Sequence, residues 1–293
     1  MRIALIGADG QLGSDLVLEL KAKKIEYVPL YYPQFDITQP KEAKRSLGEI
    51  KPSIVINTAA YHRVDECEEF PQKAFEVNAL AVRELALICR ELGATLVHFS
   101  TDYVFDGRQR KPYTEEDCPR PLSVYAASKL AGEYFVQALL EKYFLIRTCG
   151  LYGVAGCWGK GTNFVETMLK LAQQGRLIRV VNDQYVTPTS TSELAARILE
   201  LLSTQAYGLY HLTNEGACTW FEFAAKIFEL VGLQPQLMPV SSKEYGARAV
   251  RPLYSVLENK RAAEIGLTPF SSWEKALEDY LIRKGYLSTN KRS

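Results

Sequence analysis

The first thirteen residues confine this chain to a narrow set of folds. Arg2-Ile3-Ala4-Leu5-Ile6 is a short apolar run of the kind buried as a strand, and Gly7-Ala8-Asp9-Gly10-Gln11-Leu12-Gly13 follows it directly. Three glycines at intervals of three then lead into Ser14-Asp15-Leu16-Val17-Leu18-Glu19-Leu20, whose apolar spacing is that of an amphipathic helix. Strand, glycine turn and helix are the setting that a dinucleotide fingerprint requires. Without Cβ atoms the backbone can approach a pyrophosphate, and the helix N-terminus offers free N–H groups and positive potential. The spacing is G-x-x-G-x-x-G rather than the commoner G-x-G-x-x-G. A glycine turn that binds nothing is the simpler alternative.

The alternation continues through the first half. Glu26 to Leu30 and Ser53 to Asn57 read as strands, and Pro40 to Ile50 as a helix with proline in its first turn. Gln72 to Leu92 reads as one long helix stopped by Gly93. A strand from Thr95, a helix from Ser123 to about Lys142 and a strand at Phe144 to Arg147 complete the pattern. Repeated βαβ units predict an α/β fold: a Rossmann-like, doubly wound parallel sheet. After Thr148 the pattern loosens, and Gly150, Gly153, Gly156, Gly159 and Gly161 punctuate a long loop. Helices are expected at Asn163 to Gln174, Ser192 to Leu202, Phe221 to Val231 and Trp273 to Leu281, and strands at Leu177 to Val181 and Gly208 to Leu212. The expected division is a dinucleotide-binding domain over 1–148 and a smaller, mainly helical substrate lobe over 149–293, interleaved with the sheet.

Two further clusters lie where a carbonyl or alcohol would react. Thr95 to Phe99 reads as a central strand, with Ser100-Thr101-Asp102 at its carboxyl end, where open α/β sheets bind ligands. Tyr125 and Lys129 lie four residues apart, so on a helix they share a face. A nearby ammonium favours the phenolate, which makes the phenol a proton donor or acceptor for a carbonyl/alcohol pair. In a chain of 17 tyrosines the spacing alone discriminates little; its order after the other two clusters is what gives it weight.

Composition excludes several classes. The 293 residues are 47% apolar and 24% charged, with a net charge of +1, which gives no electrostatic case for nucleic acid or membrane surfaces. No apolar stretch approaches the ~20 residues of a membrane span, and no signal peptide precedes the first strand, so a cytoplasmic location is expected. The cysteines Cys67, Cys89, Cys118, Cys149, Cys157 and Cys218 show no C-x-x-C pairing, and three histidines make a His-based metal site improbable. Glu66, Glu68 and Glu69 read as a solvated turn before the long helix. Asp65 reads as a residue nearer the cleft that either contacts a ligand or serves structure alone, and His62 as either a cleft-lining side chain or a plain loop residue. Trp158, in the glycine-rich loop, is a candidate stacking surface for a base or sugar.

Taken together, the glycine turn, the Ser-Thr-Asp strand end and the Tyr-x-x-x-Lys helix resemble the extended short-chain dehydrogenase/reductase superfamily. Within it the chain is similar to the dTDP-4-dehydrorhamnose reductase family. The runs that carry the likeness include Phe35-Asp36-Ile37-Thr38, Val55 to Tyr61, His98 to Gly107, Ser128 to Glu133, Asn163-Phe164-Val165, Asp183-Gln184 with Pro188-Thr189, and Arg251-Pro252. The resemblance implies NADPH or NADH as cofactor and a nucleotide-linked deoxy sugar as substrate, whose C4 ketone is reduced. Thr101, Tyr125 and Lys129 would be the catalytic set. Gly7, Gly10, Gln11, Leu12, Gly13, Asp36, Ile37, Ala59, Ala60, Tyr61, Asn78 and Ser100 would hold the dinucleotide with Tyr125 and Lys129. Asp102, Tyr103, Asn163 and Gln184 would join Thr101 in holding substrate.

The chain also departs from that family. Arg147-Thr148-Cys149-Gly150-Leu151-Tyr152-Gly153 has glycine where a tryptophan commonly packs the sugar, and Ala126 and Val186 replace two glycines. Some members bind a metal at a dimer interface through glutamates; Asp15 and Ser192 occupy two of those places, so no such metal is expected, and a homodimer is a possible assembly. Leu30-Tyr31-Tyr32-Pro33 offers neither a carboxylate for a ribose 2′-hydroxyl nor an arginine for a 2′-phosphate, which leaves both nucleotides open. Tyr103 stands where a dehydratase would carry its glutamate, which argues against water elimination. An epimerase and a non-catalytic NADP-binding subunit, like the regulatory subunit of methionine adenosyltransferase, are the alternatives.

Overall fold

The computed structural model describes residues 2–156 and 161–288. Five strands of the first half, β1 (Arg2–Ile6), β2 (Glu26–Leu30), β3 (Ile54–Asn57), β4 (Thr95–Thr101) and β5 (Tyr143–Thr148), pair in parallel. A sixth, Gly208–His211, comes from the second half and adds to β5. The spatial order runs β2-β1-β3-β4-β5 and then Gly208–His211. The chain therefore winds one way from β1 to β2 and the other way from β3 onward. That reversal opens a crevice at the carboxyl ends of β1 and β3, the place where doubly wound sheets bind ligands.

Both sheet faces are covered, which is why the central strands are apolar without alternation. On one face Leu12, Leu16 and Leu20 of helix Gln11–Ala22 pack with Leu194, Ile198 and Leu201 of helix Thr191–Leu202. On the other, helices Pro40–Ile50, Ala81–Leu92 and Val124–Leu139 contribute Leu47, Leu85 and Val136. The second half thus lends a strand and a helix to the sheet. Its own core is separate and aromatic: Val165, Leu169, Phe223, Ile227, Trp273, Leu277 and Tyr280.

Three local expectations are corrected. The long helix expected over 72–92 is broken: helix Pro71–Phe75 gives way to a π turn at Glu76–Leu80 before Ala81–Leu92. The π turn carries buried Asn78, whose amide serves the Tyr61 backbone on one side and the Ser128 hydroxyl on the other. Gly132 permits this close approach, since a Cβ there would lie 2.3 Å from the Asn78 carbonyl oxygen. The acidic run is a short helix, Val64–Glu69, rather than a solvated turn. Glu68 accepts the Val124 amide at 2.8 Å, and Glu66 accepts Tyr61 Oη and Arg63. The helix expected to reach Lys142 ends at Leu139, because β5 already begins at Tyr143.

Candidate active site

The crevice is a cavity of about 870 Å³ running from the glycine turn across the ends of β3, β4 and β5 to the second-half lobe. Its first wall is backbone. Gly7 has φ +76, and a Cβ there would stand 2.5 Å from Thr58 Oγ1. Gly13 lies over the same turn, where a Cβ would come within 2.1 Å of the Gly7 carbonyl oxygen, so only glycine lets the helix start this close to β1. The helix N-terminus has no side-chain cap and no acidic residue in its first turn, and Gly10, Gln11 and Leu12 line the cavity there. Free N–H donors at a positive helix end suit a pyrophosphate. Two hydroxyls on the cavity floor, Ser100 Oγ and Thr148 Oγ1, are buried without a partner in the protein. The residues therefore fit a dinucleotide.

The reacting groups meet beyond this wall. Ser123 caps helix Val124–Leu139 by accepting the Ala126 amide, which sets the helix so that Tyr125 and Lys129 both face the cavity. Tyr125 shares the cavity with Thr101, at the end of β4, whose hydroxyl donates to Asp102. Burial first, and then the charge of Asp102, push the Tyr125 phenol above its ordinary value; it is a phenol that keeps its proton. The expected ease of ionisation beside Lys129 is thus not what dominates here; burial and Asp102 do. Lys129 is buried, and burial lowers its ammonium to about 8, opposed by Glu133 one turn along the helix. Glu133 is held in turn by a bidentate contact with buried Arg147.

Asp102 ties three segments together. Its carboxylate accepts from Thr101 Oγ1 at 3.0 Å, from Cys149 Sγ at 3.0 Å and from Ser255 Oγ at 2.5 Å. Burial raises it to about 6, and these three donors pull the other way. Tyr103 sets its ring edge-on to Tyr125, with centroids 6.4 Å apart, and contacts Arg251, whose guanidinium pairs with Asp65 at 2.9 Å.

The cavity gathers most of the residues singled out from sequence: Gly7, Gly10, Gln11, Leu12, Asp36, Ala59, Ala60, Tyr61, Ser100, Thr101, Asp102, Tyr103, Tyr125, Lys129 and Asn163. Four others stand behind it. Gly13 supports the turn, Ile37 is buried with Phe35 and Leu47, and Asn78 anchors the Tyr61 loop. Gln184 donates to Ser242 Oγ at 2.9 Å, in the lobe. Asn163 spends its amide on the Glu166 N–H, the Gly153 carbonyl and Tyr280 Oη. Asp15 accepts Thr191 Oγ1 and pairs with Arg283, and among the described residues no cluster of three or more His, Cys, Asp or Glu could hold a metal. His62 does line the cavity, whereas Trp158 lies outside the described residues.

Sequence reasoning missed the far wall. Phe164 and Trp220 line the cavity with ring centroids 4.8 Å apart, and a Cβ on Gly150 would lie 3.2 Å from Trp220 Cη2. The absent side chain at Gly150 thus faces an indole from a helix 70 residues later. No local motif marks that tryptophan; its only signal is an aromatic at the start of an apolar helix.

The family described as the RmlD substrate binding domain matches residues 1–285. Among curated relatives, the spore coat polysaccharide biosynthesis protein SpsK of Bacillus subtilis is 39% identical over 280 residues, covering 96% of each chain. The dTDP-4-dehydrorhamnose reductase of Mycobacterium tuberculosis is 39% identical, covering 94% of this chain and 91% of its own. A solved dTDP-4-dehydrorhamnose reductase from Bacillus anthracis, in complex with NADP, superposes with a TM-score of 0.91 at 40% identity, covering 96% of this chain and 99% of that one. The chain belongs to the RmlD substrate binding domain family.

Proposed function

We propose that this protein reduces the C4 ketone of dTDP-4-dehydrorhamnose to give dTDP-rhamnose, using NADPH or NADH. The observation that carries the reading is the convergence of a protonated Tyr125, Thr101 and Lys129 in one cleft with a glycine-built anion cradle. Relatives named for this reaction, one of them in complex with NADP, support it.

When bound, the nicotinamide supplies a hydride to the carbonyl carbon. Thr101 orients the ketone oxygen, and Tyr125 gives that oxygen its proton, so ketone, hydride and proton balance to the alcohol. The phenolate left on Tyr125 is stabilised by the Lys129 ammonium. Lys129, held at about 8, is also acidic enough to return a proton to Tyr125 near neutral pH. The Gly7–Gly13 turn and the uncapped helix end hold the pyrophosphate. Ser100, Ala59, Ala60 and Tyr61 line the path between the two ends, and Asp36 closes it near β2.

The test is nucleotide consumption followed at 340 nm, with NADPH and NADH in turn and the 4-keto sugar made in situ. Oxidation that needs both enzyme and sugar is expected. Tight dinucleotide binding with no turnover of this sugar would overturn the reading in favour of another ketose or a binding partner.

A further inference from the structure

Behind Lys129 lies a buried side chain that the reaction above does not use. His98, on β4 and fully buried, places Nε2 3.5 Å from Lys129 Nζ and Nδ1 3.3 Å from Asn57 Nδ2. The ring also lies against Gly132 of the same helix, where a Cβ would make ordinary contact with His98 Nε2 at 3.7 Å. The proton positions follow from one fixed donor. The Ala59 amide can only donate, and it meets Asn57 Oδ1 at 3.1 Å. Asn57 therefore turns its NH2 toward His98. His98 Nδ1 must accept that bond, so the ring proton sits on Nε2 and points at the lysine.

We propose that His98 is a positioning residue for Lys129: locked by Ala59 and Asn57 with its proton on Nε2, it offers the amine a donor and so makes Lys129 a ready proton source for Tyr125. An ammonium facing an N–H donor has nothing to bond on that side, whereas the neutral amine can accept the bond. The other groups around the lysine do not remove this bias. Glu133 favours the ammonium but is shared with Arg147 of β5, and Tyr125 and Asp102 lie on the cavity side. The buried titratable groups brought by the other packed helices are the thiols Cys67 and Cys89. The lowered Lys129 ammonium and the suppressed protonation of His98 agree with this arrangement. Its catalytic part rests on the reductase reading; the ring tautomer does not.

The first test needs no turnover. With only three histidines, long-range 1H–15N spectra of the full chain can assign His98. The expected result is a neutral ring protonated on Nε2 from pH 6 to 9; a proton on Nδ1 would overturn the inference. The second uses the pH dependence of kcat/KM. In the wild type the alkaline limb is expected near pH 8, where Lys129 loses its proton. In Asn57→Asp the carboxylate accepts from Ala59 and from Nδ1–H together, which turns a lone pair on Nε2 toward Lys129. The limb should then rise by about one pH unit or more. His98→Gln, which can present an amide oxygen to the amine, should move it the same way should Asn57→Asp fail to fold. An unmoved limb in a variant that turns over contradicts the proposal. Absence of all turnover in the wild type would refute the reduction, and the tautomer would still decide the inference.

Discussion

The two walls of the cleft are built on different principles. The sheet-side wall is made of backbone and short polar side chains: glycines packed to van der Waals limits, an uncapped helix end, and hydroxyls at the ends of β4 and β5. Each of its groups is placed by a strand or helix a few residues away. The lobe-side wall is aromatic, and Phe164, Trp220 and Gly150 reach it from three separate segments. On the proposed function, the positions that hold the dinucleotide are set locally, whereas the surface offered to the sugar depends on tertiary packing. One wall can therefore be changed while the other and the chemistry between them stay in place.

The sharpest break should come between the walls. Tyr125→Phe removes the proton donor and almost no volume; kcat should fall by about 10²–10⁴-fold with dinucleotide affinity retained, as titration of the cofactor's fluorescence would show. Next is the backbone wall. Gly13→Ala forces a Cβ toward the Gly7 carbonyl oxygen and should cost roughly 3 kcal/mol, lowering Tm and weakening dinucleotide binding most. Trp220→Ala should act only on the other side, raising KM for the sugar by about tenfold while KM for the dinucleotide holds. Equal effects on both constants would erase the distinction between the walls. Asp102 tests the join between them. Its raised carboxyl loses its charge as pH falls through about 6, releasing one of its three donors, so kcat/KM should show an acid limb there that Asp102→Asn abolishes. Gln184→Ala, bonded to Ser242 away from the cavity, should change neither constant.

What could be read from sequence follows the same divide. The glycine turn, the Ser100-Thr101-Asp102 strand end and the Tyr125/Lys129 helix are each contiguous, so their periodicity and spacing carry their geometry. Asn78 is different: its π turn exists to satisfy Tyr61 and Ser128, partners 17 and 50 residues away, and no helical pattern announces it. Glu68 likewise looks like one more surface acid until the fold brings the Val124 amide to it. Trp220 carries no local mark, because an apolar residue at a helix start is ordinarily core, and only the fold brings it to the cavity beside Gly150. Likeness of motif points Gln184 to the substrate, whereas its amide N–H meets Ser242 Oγ within the lobe.

The most direct test follows the hydride itself. Nicotinamide nucleotide deuterated at its transferring carbon, incubated with the 4-keto sugar and enzyme, should leave deuterium on C4 of the deoxyhexose, read by NMR of the product. The Tyr125→Phe protein should bind the same nucleotide and transfer almost none. Deuterium retained in the nucleotide by the wild type, or wild-type transfer by Tyr125→Phe, would contradict a ketoreductase that takes its proton from this tyrosine.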